Sequence, residues 1–177
     1  PARMTSWKGQ LEFIDVIKKM ATHNVLILFA GDTKNESYTK LVRDKIKNNN
    51  LTNTFKILGS VNQDKLRSLY QIADLSVSFP LRAEGFGRTV SESLYSNTPV
   101  LAFDYGGVKN QLENLSDLFK VKPHDYQGLP KKIEVLLNLN EDQKKDALQD
   151  AQLVIEKNFS KTNMVNQYMK LYESIKS

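Results

Sequence analysis

Apolar positions recur along this chain in two rhythms. Short, mostly apolar stretches at residues 25–30, 55–58, 75–79, 100–103 and 118–121 are each followed within two residues by Gly, Asp or Pro. Stretches of that length and enrichment read as strands. Residues 25–30, VLILFA, form an unbroken apolar run, as expected for a strand buried on both faces. Between the strands the rhythm is helical: Leu11, Ile14, Ile17 and Met20 lie on one face, and so do Tyr38, Leu41, Val42 and Ile46. A helix from a Thr5 or Ser6 cap to about Met20 is predicted, with others at 37–48, 63–72, 88–96 and 108–114. Beyond Asp125 the chain reads as helical, at 126–139, 141–157 and 161–175. Five strands alternating with helices predict an α/β fold, a doubly wound parallel sheet with a helical C-terminal extension. Ligands of such sheets bind at the carboxyl ends of the strands. The loops there, 31–32, 59–62, 80–87 and 105–107, carry most of the glycines.

The richest of these loops lies in the stretch SFPLRAEGFGRTVSESLY. A strand breaks at Pro80, Gly85-Phe86-Gly87 follows, and a helix begins near Arg88. Glycines let the backbone approach a ligand closely. The N–H groups of Arg88, Thr89 and Val90 would point from the helix N-terminus, where an anion is favoured. Glu84 precedes that terminus and Glu92 lies about one turn inside it. Carboxylates accept hydrogen bonds from hydroxyls. Two of them flanking an anion site suit a molecule with hydroxyls at both ends and phosphates between, which describes a nucleotide sugar.

Composition narrows the classes. The 177 residues are 40% hydrophobic and 25% charged, enough for one domain with a full core. The absence of cysteine excludes disulfide frameworks, thiol nucleophiles and cysteine zinc sites. His23 and His124 make no ligand spacing, and no apolar run is long enough to span a bilayer. The net charge of +5 is spread over lysines on predicted helices, among them Lys18, Lys19, Lys45, Lys131 and Lys144. These form solvated faces or meet an anionic membrane surface. No basic-aromatic interleaving points to nucleic acid. The chain opens Pro1-Ala2-Arg3 without an initiator methionine and is expected to be a piece of a longer protein.

Five motifs occur in order: RMTSWKG from Arg3, ILGSV from Ile57, LYQIADL from Leu69, EGFGRTVSE from Glu84 to Glu92 (an E-x7-E pattern), and PVLAFDYGGV from Pro99. Together they resemble the C-terminal domain of retaining group 1 glycosyltransferases, family 4 of the sugar-enzyme classification, which have the two-domain GT-B architecture. The resemblance implies that an N-terminal acceptor domain and the first strand of this domain are absent. That loss is expected to leave the sheet one edge short. It implies that Arg3 and Lys8 grip the donor diphosphate, Glu92 the ribose hydroxyls, and Glu84 the donor sugar, where it stabilises developing oxocarbenium charge. Backbone of Gly85, Phe86 and Gly87 would line the sugar, Thr89 and Val90 the phosphate, and Gly59 and Val61 the base, with Gly31 on the facing loop. Such enzymes stabilise the leaving diphosphate with protein cations in place of a metal, and no Asp-x-Asp triplet is present. No cofactor is expected, the donor being a substrate. The implied location is cytoplasmic, with the possibility of the inner membrane face.

Departures accompany the likeness. Asn110 stands where the family often has glutamate after the paired glycines, and the usual Asn-Gly turn after the fifth strand is missing. Trp7 reads as a packing residue at a helix entry, and His23 and His124 as surface turn residues. Arg82 and Arg88 flank the site loop, to touch phosphate or acceptor or to face solvent. The stripe Met164, Val165, Tyr168, Leu171 and Tyr172 packs on the domain's own sheet or faces an absent domain. Other classes stay open: a nucleotide-sugar epimerase of the same architecture, and a non-catalytic nucleotide-binding module.

Overall fold

A computed structural model describes residues 1–20, 24–149 and 151–176; His23 lies outside them. Strands β1 (Ile27–Ala30), β2 (Phe55–Gly59), β3 (Ser76–Ser78), β4 (Val100–Phe103) and β5 (Lys120–Val121) are all parallel in their pairs. Helices α1 (Gln10–Lys18), α2 (Glu36–Asn48), α3 (Gln63–Ile72), α4 (Arg88–Tyr95) and α5 (Gly107–Leu112) alternate with them. Then come α6 (Leu129–Leu137), α7 (Glu141–Leu148), α8 (Ala151–Phe159) and α9 (Lys161–Lys176). This is the α/β order expected of a doubly wound domain, with the helical extension at its end.

Local chemistry fixes several boundaries. Asn35 and Asn62 cap α2 and α3 by accepting from the Tyr38 and Lys65 N–H at 3.2 and 2.9 Å. Asn140 and Gln143 form a reciprocal capping box at the start of α7. Two predicted helices are divided. The first is a 3-10 turn at Ser6–Lys8 followed by α1, because Gly9 sits between them at φ +77°. Thr5 therefore precedes only the 3-10 turn, and its side chain makes no cap bond. The segment 141–157 is α7 and most of α8, not one helix.

The core gathers under α4 and β4. Val100, Leu101 and Ala102 are fully enclosed, as are Leu94, Leu112 and Phe119. Tilted rings link α1 to the sheet, Phe13 to Phe79 at 5.7 Å and Phe79 to Phe103 at 5.1 Å.

The strands form two separate parallel ladders, β1-β2 and β3-β4-β5. Between β1 and β3 runs a slot of about 790 Å³ lined from both sides by these strands. The unpaired edges thus lie in the middle of the layer, not at its margin as the sequence suggested. The expectation that 25–30 is buried on both faces fails for the same reason. β1 is only half-buried and Leu26 is 61% exposed, whereas every residue of β4 is buried. Just past β1 the gap closes: the N–H groups of Ala2 and Met4 donate to Ala30 O and Asp32 O, both at 2.8 Å. Donor and acceptor advance together by two residues, so Ala2–Met4 runs parallel to the end of β1.

α9 packs against α8, and its apolar residues face outward: Tyr168, Leu171 and Tyr172 are all more than half exposed. The stripe does not cover the domain's own sheet.

Candidate active site

The glycine-bearing loops meet at the carboxyl ends of the strands. Two close backbone approaches build the site. The Trp7–Gly9 turn is pressed on the loop after β3, where the Leu81 N–H donates to Trp7 O at 2.7 Å. A Cβ on Gly9 would stand 2.1 Å from Phe79 O, so only glycine fits. The glycine loop is pinned from the other side: Gly107 N–H donates to Glu84 O at 2.8 Å, and a Cβ there would stand 2.1 Å from Gly85 O.

These contacts bring Lys8 to Glu84. The ammonium binds Glu84 Oε1 in an ion pair whose side chains are only 18% and 11% exposed. The Lys8 ammonium also lies 4.4 Å from the Trp7 ring centroid, so Trp7 packs along this pair. In this structure Lys8 is therefore engaged by the carboxylate that the resemblance assigns to the sugar. Arg3 does not join them: its side chain is exposed and makes no ion pair among the described residues.

Gly87 caps α4 at φ +80°. The Arg88 and Thr89 N–H groups stand at the open helix end, but the Val90 N–H does not. It donates to Gly87 O at 3.0 Å, and its side chain is fully buried. The tight first turn thus corrects the expectation of a third free donor. One turn on, Glu92 is held at both oxygens. Arg88 donates to Oε1 through Nε and a terminal nitrogen at 3.1 and 2.8 Å, and the Tyr70 hydroxyl donates to Oε2 at 3.1 Å. The Thr89 hydroxyl donates to Pro1 O at 3.0 Å.

The remaining expected residues share the same edge. Gly31 N–H donates to Gly59 O at 2.8 Å, and Val61 follows β2, half-buried. Gly85 and Phe86 are exposed on the loop. Arg82 is exposed and makes no ion pair among the described residues. His124 is exposed at φ +62°, beside Phe103 and Tyr105. Among the described residues no three His, Cys, Asp or Glu cluster as a metal site.

Three participants escaped the sequence reading. Gln111, wholly buried on α5, donates its amide to Phe86 O and holds the glycine loop. Tyr105 donates to Pro80 O, and burial together with the Glu84 charge raises its pKa. Tyr70 reaches Glu92 from α3. Its only sequence signal was its place within LYQIADL, where it passes for a core residue.

The geometry is that of a polar edge with an anion-favouring helix end, an enclosed lysine-carboxylate pair and a second fixed carboxylate. Comparison with known proteins agrees. A glycosyltransferase from Rickettsia africae superposes with a TM-score of 0.89 at 30% identity, over 99% of this chain and 46% of that one. An Anabaena protein solved with UDP and glucose gives 0.84 at 25% identity, over 97% of this chain and 46% of its own. A curated trehalose synthase of Thermococcus litoralis is 27% identical over 98% of this chain. The chain spans 43% of that relative's length, and so less than half of it. The fold is that of the Rossmann-like C-terminal domains of GT-B glycosyltransferases. Residues 1–152 match the family described as glycosyl transferases group 1, and the chain belongs to that family.

Proposed function

We propose that this chain is the donor half of a retaining, metal-independent glycosyltransferase that moves a hexose from a nucleoside diphosphate to an acceptor. The observation that carries the reading is the pairing of two held carboxylates, Glu84 on Lys8 and Glu92 on Tyr70 and Arg88, on either side of the α4 N-terminus. Donor binding would draw Lys8 from Glu84 to the diphosphate and free Glu84 for the sugar. Lys8, the helix end and an incoming Arg3 would then offset the charge of the leaving diphosphate. Neighbours solved with UDP and UDP-glucose favour a uridine donor. The acceptor we assign is a growing cell-surface polysaccharide or glycolipid, the enzyme working in the cytoplasm, where its exposed lysines would suit the anionic inner face of the membrane. No helix among the described residues is long and apolar enough to cross it.

The reading includes a second domain. Unpaired β1 and β3 edges facing one slot support a parallel strand inserted there from the chain ahead of Pro1. The bare apolar stripe on α9 supports a further contact with an N-terminal acceptor domain. Glu84→Ala and Lys8→Ala in the full-length protein should each lower sugar transfer from UDP-glucose, or from the donor that wild type prefers, by at least about a hundredfold. Unchanged transfer in both would overturn the reading and favour a nucleotide-binding module. Sugar interconversion without any acceptor would identify an epimerase. Anomeric analysis of the product by NMR tests retention.

A further inference from the structure

We propose that Tyr70 is a positioning residue that presents the Glu92 carboxylate to the donor ribose hydroxyls, a role resting on the donor-site reading above. Tyr70 is 4% exposed at the end of α3, and its hydroxyl lies 3.1 Å from Glu92 Oε2. It is fixed at its backbone as well. The Thr98 hydroxyl donates to Tyr70 O at 2.6 Å, and the Ser93 hydroxyl donates to Thr98 O at 3.0 Å, with Thr98 and Ser93 both buried. This chain of bonds ties α3 to the C-terminal half of α4, the helix that carries Glu92.

The two contacts on Glu92 differ in kind. Arg88 is 70% exposed, and such a pair is screened and easily rearranged. Tyr70 is enclosed, so its ring is held by packing while its hydroxyl reaches the carboxylate. When Arg88 swings away, Oε1 becomes available to a ligand while Oε2 stays anchored. A tyrosine hydroxyl is a suitable anchor because it donates without bringing charge. Burial first, and the Glu92 charge next, raise its pKa, so it remains a donor through the neutral range. A lysine there would compete with the ribose for the carboxylate, and a phenylalanine would leave the carboxylate free to rotate.

The test compares UDP with 2′,3′-dideoxy-UDP by calorimetry on the full-length protein. Wild type should prefer UDP. Tyr70→Phe should bind UDP about three- to tenfold more weakly, the scale of one hydrogen bond, while the dideoxy nucleotide is unaffected. In turnover, KM for the donor should rise and kcat hold. Arg88→Ala, which removes the exposed partner and frees Oε1, should leave UDP binding undiminished and keep the preference. Equal weakening of both nucleotides in Tyr70→Phe, or loss of its fold, would show the hydroxyl to be structural and overturn the proposal. Undiminished hydroxyl preference would overturn it as well, leaving the donor site standing. A wild type that binds neither nucleotide, or does not distinguish them, would overturn the role of Glu92 and this proposal together; guanosine and adenosine pairs are run in parallel to cover the base.

Discussion

Two glycines with nearly the same backbone conformation should respond very differently to alanine. Gly9 has φ +77° and Gly59 φ +71°, so each substitution carries the left-handed penalty of about 1–2 kcal/mol. Each also gains the same small benefit from a stiffer unfolded chain, which cancels in the comparison. Only the surroundings differ. A Cβ at Gly59 meets nothing within 4 Å, while one at Gly9 stands 2.1 Å from the backbone oxygen of Phe79. Ordinary contact is near ~3.5 Å, so the Trp7–Gly9 turn must lift by more than about 1 Å. That breaks the Leu81 to Trp7 hydrogen bond, about 1 kcal/mol, and loosens packing around it. Gly9→Ala should therefore cost roughly 3 kcal/mol and Gly59→Ala about 1, both small enough to leave a folded protein. Urea unfolding at 25 °C measures the pair. Lifting the turn also carries Lys8 away from Glu84, so Gly9→Ala should weaken UDP binding beyond its effect on stability. Equal destabilisation by the two substitutions, within about 0.5 kcal/mol, would refute the close-approach account of Gly9.

Other consequences are simpler to state. Tyr38 and Tyr126 are pushed up to about 12, chiefly by burial, from an ordinary 10. Their contribution is complete below pH 10 and is lost as pH rises from 10 to 12; melting curves across that range should fall steeply, and less so in Tyr38→Phe. Leu94→Ala, at a fully enclosed site under α4, should destabilise by about 2–5 kcal/mol in chemical denaturation. Removing α9 after Ser160 should shift the Tm of this chain by no more than about 2–4 °C, because its apolar residues are already in solvent. A larger shift would mean that α9 supports the core through α8.

The legible part of this fold was the part set by periodicity and punctuation. All five strands lie within a few residues of their expected places, because Gly, Asp or Pro follows each apolar stretch within two residues. The E-x7-E spacing put Glu84 on the loop and Glu92 one turn into α4, where both are found. Lys8 meeting Glu84 depends on contacts 76 residues apart. No local pattern announces them, although Gly9 and Gly107 marked where backbones come close. Gln111 and Tyr70 were invisible for a different reason. Each is a buried side chain in a helix, and the hydrogen bond that gives it meaning lies on another element.

The split sheet shows how an accurate local reading can miss a global one. Residues 25–30 carry the unbroken apolar pattern of a strand buried on both faces, yet β1 forms a ladder with β2 alone and is only half-buried. β3, which alternates as Ser76-Val77-Ser78, likewise has one neighbour and is only half-buried beside the enclosed β4. Two half-buried strands with unpaired edges, facing each other across a slot, share one unmet requirement. A single parallel strand meets it for both: it would pair the free N–H and C=O groups of each edge and cover Leu26. The direction is already set by Ala2–Met4, which runs parallel to the end of β1 and would continue that strand into the site. The central strand would thus deliver Arg3 and Lys8 directly from its carboxyl end, and the donor site would inherit its rigidity from the middle of the sheet.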